Sequence, residues 1–350
     1  MKILIVSALT ENPKGGIAVW TQRYFNAAQK YAISYELVNT KVIGKREKNG
    51  TLQRNFFNEW KRTKGIFAQL SLGLKICNAD KIMHLNTSCG TFGLYRDYII
   101  AKKAKKAGFK VVTQFHCDIP YWLKNIISKK YLKKLVKLSD CCLTLCENSC
   151  RYLWDIAQKE SIKIPNFLSE GIISNDRKII TNKIKKAVFV GRIEAAKGAN
   201  ELFALASYFP DIEFCLIGEV DANFMQREKL SNITFEGTLS ADEVIKKLDT
   251  ADIFIFPTHS EGFSMALAEA MARGLPIVTT DVGANKDMIE NRGGIIVPVG
   301  DVDAFKTAIQ EMKNPKIREE MSAWNLQKVK EYEVDNVFQR FMEIYRRLWE

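Results

Sequence analysis

The sequence predicts an α/β protein with two doubly wound, Rossmann-like domains and a ligand cleft between them. Its 350 residues exceed what one hydrophobic core usually holds, which favours two domains. Short apolar runs alternate with helical patterns in two successive series, as expected for βα units around parallel sheets. The charge is divided too: residues 1–175 hold 29 Lys and Arg against 12 Asp and Glu, a net +17, and the remainder holds 23 against 28, a net −5. We therefore expect two domains with different tasks.

The first series of strands predicts an N-terminal domain over residues 1–168. Its strands are expected at the apolar runs 2–7, 81–85, 110–115 and 140–145, with helical patterns between them. Residues 169–186 show no clear period, so this segment is interpreted as a linker.

The second series predicts a C-terminal domain over residues 187–325. Its strands are expected at 187–190, 214–217, 233–235, 253–256, 276–279 and 294–297. Residues 326–350 have a helical pattern with apolar side chains near the end, namely Ile344, Tyr345, Leu348 and Trp349. These residues are expected to form a terminal helix that packs through its apolar stripe.

The composition excludes a disordered chain, since 47% of the residues are apolar and only 8 are Pro. Four of the eight Cys cluster at positions 141, 142, 146 and 150, but this is no zinc-ligand spacing, so no metal site is predicted. The apolar run 3–9 is too short for a secretory leader, and no run approaches the roughly 18 residues of a membrane span. Free thiols scattered along the chain indicate a reducing compartment, so we expect a cytoplasmic protein.

One candidate anion site follows the first strand of the second series. Gly191 opens a loop that carries Arg192 and Lys197, and a helical pattern begins just after Gly198. Free backbone N–H groups at a helix start and two cations favour phosphate binding there. The same residues also fit a solvated βα loop, and the sequence leaves both interpretations open.

A second constellation lies between residues 254 and 274. A strand ends before Glu261 and Gly262, Ser264 is placed to cap the next helix, and Gly274 closes that helix. Glu269 is about one turn inside the helix. Two carboxylates so placed suit a ligand with two groups of hydroxyls, although both could instead be surface residues.

This E-x7-E pair lies within PTHSEGFSMALAEAMARGLPIVTT, which is followed by DVGAN. The pattern resembles the retaining nucleotide-sugar glycosyltransferases of family four, the glycosyl transferases group 1, which have the GT-B fold. Further matching residues occur in order along the chain: Gly15, Gly16, His116, Pro165, Asn166, Arg192, Lys197, Gly218 and Gly237. The chain departs from the family pattern at Ala284, where the family commonly has a second glycine after Gly283.

The resemblance implies a role for each matching residue. Arg192 and Lys197 would bind the donor diphosphate and offset the charge of the leaving group. Glu269 would bind the ribose, and Glu261 would bind hydroxyls of the transferred sugar. His116, from the first domain, would contact the donor sugar across the cleft. The other donor-binding residues would be Gly16, Gly218, Gly262, Phe263 and Ser264, and the catalytic group would comprise His116, Glu261, Arg192 and Lys197.

The resemblance also implies the chemistry. A nucleotide-diphosphate sugar would be the donor, the anomeric configuration would be retained, and neither a bound metal nor another cofactor would take part. The terminal helix would return to the first domain, as it commonly does in this family. Two alternatives stay open, namely a non-catalytic glycosyltransferase-like partner subunit and a sugar-nucleotide epimerase of the same fold.

The acceptor side is inferred from the basic first domain. Residues 123–138 form a basic amphipathic pattern with six Lys on one face. The apolar stripe on the other face consists of Leu123, Ile127, Tyr131, Leu135 and Leu138, and it is widened by Ile126, Leu132 and Val136. Such a helix either lies on an anionic membrane or packs through its stripe on its own domain. Nucleic acid is disfavoured, because no stacking aromatics accompany the lysines. The expected acceptor is a glycan or a lipid-linked saccharide at the inner face of the plasma membrane.

Two histidines are ambiguous in the sequence. His84 ends an apolar strand, so it is either a core residue or an acceptor contact. His259 lies in the loop before Glu261 and is either part of the site or an ordinary loop residue.

Overall fold

The computed structural model describes residues 1–11, 15–42, 56–225 and 230–350. These residues form two compact units. The first consists of Met1–Phe167 together with Val334–Glu350, and the second consists of Leu168–Glu333.

In the first unit, the described residues form a parallel sheet of six strands. The strands are β1 (Lys2–Ser7), β2 (Ser34–Asn39), β3 (Ile82–Thr87), β4 (Lys110–Phe115), β5 (Cys141–Thr144) and β6 (Ile162–Lys163). Their order is β2-β1-β3-β4-β5-β6, so the chain reverses its direction of winding between β1 and β3. Doubly wound sheets bind ligands at such a reversal, beyond the carboxyl ends of the strands.

Helices cover both faces of this sheet. They are α1 (Gly16–Lys30), α2 (Phe56–Ile76), α3 (Thr91–Lys106), α4 (Ile119–Trp122), α5 (Ile126–Leu138) and α6 (Glu147–Ala157). Successive side chains of a strand point to opposite faces, so Ile3 and Ile5 lie in one apolar cluster and Leu4 and Val6 in another. Strands buried on both faces explain why β1 reads as an uninterrupted apolar run.

The second unit repeats this architecture. Its strands are β7 (Lys186–Val190), β8 (Glu213–Ile217), β9 (Ile233–Gly237), β10 (Ile253–Phe256), β11 (Ile277–Thr280) and β12 (Gly294–Val297). They form a parallel sheet in the order β12-β11-β10-β7-β8-β9, and the winding reverses between β7 and β10. The predicted fold class, two Rossmann-like α/β domains, is confirmed.

The connections of the second sheet are helical. They are α7 (Ala199–Tyr208), α8 (Ala222–Met225), α9 (Ala241–Thr250), α10 (Met265–Ala272), α11 (Asn285–Ile289), α12 (Val302–Glu311) and α13 (Pro315–Lys328). A 3-10 turn, Ala195–Lys197, precedes α7, and a second, Val329–Tyr332, follows α13.

The limits of the two units differ from the predicted domain boundaries. The segment 169–186, interpreted as a linker, lies within the second unit. The Ser174 N–H donates to the Ala272 carbonyl at 2.8 Å, and the Lys185 N–H donates to the Asp252 carboxylate at 2.7 Å. This segment therefore packs by irregular backbone contacts, which leave no periodic signal in the sequence.

The terminal helix also begins later than residue 326. Helix α13 runs on to Lys328, the 3-10 turn ends at Tyr332, and α14 (Val334–Trp349) follows Glu333. Helix α14 belongs to the first unit, where Phe338, Phe341 and Tyr345 join the cluster that contains Ile3 and Ile5.

His84 is one of the residues that hold α14 in place. It is fully buried, its Nδ1 lies 2.5 Å from the Tyr345 hydroxyl, and its Nε2 lies 3.1 Å from Gln114 Oε1. Because Gln114 Oε1 can only accept, Nε2 carries the proton and Nδ1 accepts from Tyr345. Burial lowers the pKa of His84 to about 3. His84 is thus a satisfied core histidine, the first of the two interpretations that the sequence left open.

The basic segment 123–138 forms a helix only from Ile126, after Asn125 accepts a capping hydrogen bond from the Ser128 N–H. Leu132, Leu135 and Val136 are buried, so the middle of the predicted stripe packs on its own unit. Ile127, in the first turn of the helix, is 60% exposed, so this end of the predicted stripe does not pack on the unit.

Among the residues described, none belongs to a helix long and apolar enough to cross a bilayer.

Candidate functional site

The loop after β7 places two cations at the carboxyl edge of the second sheet. The Ile193 N–H donates to Glu219 O at 2.8 Å, which joins this loop to the one after β8. Arg192 is more than half exposed, and its Nη2 lies 2.9 Å from Glu194 Oε1. Lys197 is the last residue of the 3-10 turn that follows. The Arg192 side chain thus lies largely in solvent, whereas the Lys197 side chain is held by contacts within the protein.

Lys197 joins the β7 loop to the β10 loop. Its Nζ lies 2.6 Å from Glu261 Oε1 and 3.0 Å from the Ser260 carbonyl oxygen. The Thr258 hydroxyl donates to the same Glu261 oxygen at 3.3 Å. Since β7 and β10 flank the reversal of the sheet, this ion pair lies at the point where doubly wound sheets bind ligands.

Close backbone packing fixes the start of α7 beside the β10 loop. Gly198 has φ +83°, and a Cβ there would lie 2.1 Å from the Pro257 carbonyl oxygen. The His259 N–H donates to the Ala196 carbonyl at 3.0 Å. These contacts hold the two loops in register, which the Lys197–Glu261 contact requires.

The loop after β11 supports Glu261 from the other side. A Cβ at Gly283 would lie 2.5 Å from the Glu261 carbonyl oxygen, so this position accepts only glycine. The Ala284 N–H donates to the Gly262 carbonyl at 2.9 Å, and the methyl group of Ala284 is buried. The departure from the family pattern at Ala284 therefore fits without disturbing the loop.

The remaining predicted residues of this constellation lie at the start of α10. Ser264 caps the helix by accepting from the Leu267 N–H at 3.2 Å, and its side chain is buried. Phe263 packs edge-on against Tyr332 at 5.3 Å, and Glu269 is half-buried on the helix. Within the described residues, the N–H groups of Gly262, Phe263 and Ser264 have no acceptor in the protein. These groups form a concentrated site of partial positive charge.

Gly218 lies at the same edge and is required by the packing of the sheet. It has φ +140°, and a Cβ there would lie 2.0 Å from the Gly191 carbonyl oxygen. Its N–H donates to Gly237 O at 2.8 Å. The glycine therefore allows the loops after β7 and β8 to approach each other, whatever ligand lies beyond them.

His259 is tied to α7 by a residue that the sequence did not indicate. Its Nε2 lies 2.7 Å from Glu201 Oε1, and Glu201 is only 6% exposed. A charged residue in the first turn of an otherwise apolar helix was the one available signal. The contact makes His259 a support for the loop that carries Glu261.

The predicted residues of the first unit lie at the carboxyl edge of its own sheet. His116 follows β4, and its Nε2 lies 2.8 Å from Asn86 Oδ1. Asn86 Nδ2 donates to the Ser7 hydroxyl at 2.9 Å, and Ser7 contacts Thr21 at 2.5 Å. Asn86, which sequence reasoning missed, thereby connects β3 to the reversal point beside β1.

His116 is neutral at physiological pH. Burial lowers its pKa to about 3, with a smaller contribution from His84. Because Asn86 Oδ1 can only accept, the proton of His116 is on Nε2, and Nδ1 is a lone-pair acceptor. Among the described residues, Nδ1 has no hydrogen-bond donor. The imidazole is thus oriented by Asn86, and its Nδ1 is a buried acceptor without a described donor.

The two glycines at the start of α1 differ in backbone conformation and in surroundings. Gly15, the N-cap residue, has φ +92°, a conformation that favours glycine. Gly16 begins the helix, and a Cβ there would meet no protein atom within 4 Å among the described residues. Seven of the eight predicted donor-binding residues therefore belong to the second unit. The eighth, Gly16, belongs to the first unit, as does the predicted catalytic residue His116.

No metal centre was found among these residues. Over the described part of the chain, no three His, Cys, Asp or Glu side chains are grouped as metal ligands, and the eight Cys are unpaired thiols.

Comparison with known proteins places this site in a family. Residues 173–326 match the family described as glycosyl transferases group 1. The phosphatidyl-myo-inositol mannosyltransferase of Mycobacterium leprae is 24% identical over 208 residues, which cover 56% of each chain. The chain thus matches about half the length of that relative.

Solved structures match over the full chain. Sucrose-phosphate synthase from Thermosynechococcus elongatus has a TM-score of 0.75 at 15% identity, with 99% of both chains covered. Anabaena HepE, solved in complex with UDP-glucose, has a TM-score of 0.66 at 15% identity and covers 99% of this chain and 100% of its own. At this identity the likeness concerns the fold. The group 1 match in the second unit and the full-length structural neighbours lead to one conclusion: residues 173–326 match the glycosyl transferases group 1 family, and the chain has the GT-B fold.

Proposed function

We propose that this protein is a glycosyltransferase that moves a sugar from a nucleotide-diphosphate sugar to a hydroxyl of a glycan or a lipid-linked saccharide, in the synthesis of a surface polysaccharide or glycolipid. The observation that carries the proposal is the Lys197–Glu261 contact at the reversal of the second sheet, inside the region matched to the family. The names of the similar proteins support it: a mannosyltransferase of a phosphatidyl-inositol, and a structure that holds UDP-glucose.

The donor would bind to groups that are already in place. Arg192 is exposed enough to leave Glu194 for a phosphate, and Lys197 offers a second cation. The N–H groups of Gly262, Phe263 and Ser264 would bind phosphate or sugar oxygens at the start of α10. Glu261 would accept from sugar hydroxyls with the oxygen that Lys197 leaves open, and Glu269 would accept from the ribose.

The chemical step would follow from these charges. The bond between the anomeric carbon and the phosphate oxygen breaks, and its electron pair goes to the diphosphate. The acceptor hydroxyl forms the new bond on the same face and gives its proton to the departing phosphate, so that configuration is retained. Arg192 and Lys197 would offset the developing negative charge, so that neither a metal nor another cofactor is needed.

His116 would contribute from the first unit. Its neutral imidazole, oriented by Asn86, suits a hydrogen bond from a hydroxyl of the transferred sugar better than a charge interaction with phosphate. Gly16, where an added Cβ would meet no described protein atom within 4 Å, would let the backbone approach the diphosphate.

The proposal extends to the acceptor and to the place in the cell where the protein acts. The net +17 of residues 1–175 supports an anionic or membrane-borne acceptor, used at the cytoplasmic face of the plasma membrane. No nucleic-acid partner is proposed.

A panel of uridine, guanosine and deoxythymidine diphosphate sugars tests the proposal. At least one should raise the melting temperature by several degrees and be hydrolysed slowly without acceptor. Glu269→Ala should reduce this stabilisation, whereas Glu320→Ala, an exposed carboxylate on α13, should leave it unchanged. NMR of the product sugar would report its anomeric configuration, and addition of EDTA would test the independence from metal.

Two results would contradict the proposal. Stabilisation by none of the donors, with Arg192 and Lys197 intact, would favour a non-catalytic partner subunit. Conversion of the donor to an epimeric nucleotide sugar would favour the epimerase.

A further inference from the structure

An exposed apolar patch remains at one end of the first unit after its helices have packed. Phe92 is 81% exposed, Ile126 85%, Ile127 60% and Trp122 57%. Exposed aliphatic and aromatic side chains of this size are ordinary when scattered singly, but their grouping indicates an interaction surface.

Hydrogen bonds show that these side chains are grouped. The Thr91 hydroxyl lies 2.6 Å from the Ser128 hydroxyl, and Asn125 Nδ2 donates to Thr91 at 3.1 Å. The first turns of α3 and α5 are therefore side by side, with Phe92 on one and Ile126 and Ile127 on the other. Trp122 ends α4, four residues before α5 begins. We define these four residues as the apolar tip: Phe92, Trp122, Ile126 and Ile127.

Exposed lysines surround the apolar tip. The segment from Ile119 to Leu138 contains six Lys and no Asp or Glu, and all six are exposed. They are Lys124, Lys129, Lys130, Lys133, Lys134 and Lys137. None of these six forms an ion pair with a described residue. The surface thus joins a small apolar projection to a field of uncompensated positive charge.

This combination of exposed apolar side chains and unpaired lysines indicates which kind of partner the surface binds. A second copy of the chain would bring the same six lysines against these, which like-charge repulsion opposes. A single-stranded nucleic acid would stack on exposed rings such as those of Phe92 and Trp122, but the two isoleucines of the tip offer bases no stacking face and suit acyl chains instead. Aliphatic and aromatic side chains that enter the acyl boundary, with lysines at the level of the headgroups, match a bilayer that contains anionic phospholipid.

We propose that the apolar tip inserts into an anionic membrane surface, with Lys124, Lys129 and Lys130 held at its headgroups and the later lysines of α5 adding longer-range attraction. This differs from a helix lying flat on the membrane, because the middle of the apolar stripe of α5 is buried in its own unit. The helix would meet the bilayer with its N-terminal end.

The position of the apolar tip in the first unit indicates what membrane insertion would serve. The first turn of α3 directly follows β3, and α5 runs back from the carboxyl edge of the sheet toward the start of β5. The tip is therefore at the same edge of the first unit as Asn86 and His116. Only this use, presenting a membrane-borne acceptor to that edge, rests on the proposed function.

Vesicle flotation of the full chain tests the inference without any nucleotide sugar. The protein should float with vesicles of phosphatidylcholine and phosphatidylglycerol, and poorly with phosphatidylcholine alone. The triple change Phe92→Ser, Ile126→Ser and Ile127→Ser should lower the bound fraction at least fivefold at low salt and abolish the binding that survives high salt. Ile179→Ser, which alters an 88% exposed isoleucine of the second unit, is the matched control and should bind like the wild type.

A second set of variants separates charge from insertion. Lys129→Gln, Lys130→Gln and Lys133→Gln together should weaken binding severalfold at low salt and flatten its salt dependence. The control is Lys102→Gln with Lys106→Gln, two exposed lysines toward the other end of α3, which should have the smaller effect. Melting temperatures of all variants would show that each is folded.

Three outcomes would overturn the inference: no binding of the wild type to anionic vesicles, equal loss in the Ile179→Ser control, or self-association in ultracentrifugation that the triple variant abolishes. Vesicle binding without any nucleotide-sugar binding would leave the inference standing and contradict the proposed function. Donor binding without vesicle binding would contradict the inference and leave the proposed function standing.

Discussion

The ammonium group of Lys197 lies 2.6 Å from the carboxylate of Glu261, although 64 residues separate them in the chain. The contact bridges the loops after β7 and β10, on either side of the reversal in the second sheet. A cation that would bind a diphosphate is thus held by the carboxylate that would bind the sugar.

Lys197→Gln should lower kcat about 10²- to 10³-fold, because it removes a charge that stabilises the leaving group. Steady-state kinetics with the donor identified in the panel would measure this, and Lys316→Gln, an exposed lysine of α13, is the matched control. A double-mutant cycle with Glu261→Gln should show strongly non-additive losses. Additive losses would mean that the two residues act separately.

Gly198→Ala should destabilise the second unit by about 3 kcal/mol, because a strained backbone conformation and a clash with Pro257 add together. Urea unfolding would measure the loss. Gly65→Ala, inside α2 with no described atom within 4 Å of its Cβ, should instead gain about 0.5–1 kcal/mol. Equal effects at the two positions would contradict the packing described around Gly198.

Gly16→Ala should leave the melting temperature unchanged within a degree or two, since a Cβ there meets no described protein atom. If the backbone at this position approaches the diphosphate, the same variant should raise the KM of the donor at least tenfold. Gly15→Ala provides the contrast, because its φ of +92° should make the change costly in stability. Full affinity for the donor in Gly16→Ala would remove this residue from the site.

The two buried histidines of the first unit should make the protein acid-sensitive. Both have a pKa of about 3 in the folded chain and about 6.5 when unfolded, so between these values the unfolded state binds more protons. The free energy of unfolding should therefore fall as the pH drops below 6.5, by up to about 1.4 kcal/mol per pH unit for each histidine.

Urea titrations between pH 4.5 and 8 would measure that slope. His84→Gln should reduce it by about half below pH 6.5 while leaving it unchanged above pH 7.5, where both states are neutral. An unaltered slope below pH 6.5 would mean that His84 is protonated in the folded protein.

Much of the fold could be predicted because its strands are buried on both faces. The runs at 3–6 and 253–256 are apolar throughout; the first forms the centre of β1 and the second coincides with β10. Strand β2 was missed because it lies at the sheet edge and alternates apolar with polar residues. Strand β6 has only two residues, too few for any pattern.

Most residues of the candidate site could be predicted from the sequence, but the residues that orient them could not. Motif spacing indicated Lys197 and Glu261, but not that they contact each other. Glu201 and Asn86 orient His259 and His116 through contacts 58 and 30 residues away in sequence, which no local pattern encodes. Helical periodicity placed Ile127 on the apolar stripe, but its exposure depends on how the first turn of α5 packs beside the first turn of α3, which no local pattern encodes.

Helix α14 has a consequence for how the protein is made. Phe338, Phe341 and Tyr345 cover Trp20 and Tyr24, yet more than three hundred residues are translated between the two groups. On the ribosome, the second unit has its whole sequence available before the first unit does. The unit that contains the earlier residues is therefore the one that completes its core later, and it leaves an aromatic face open to chaperones until α14 emerges.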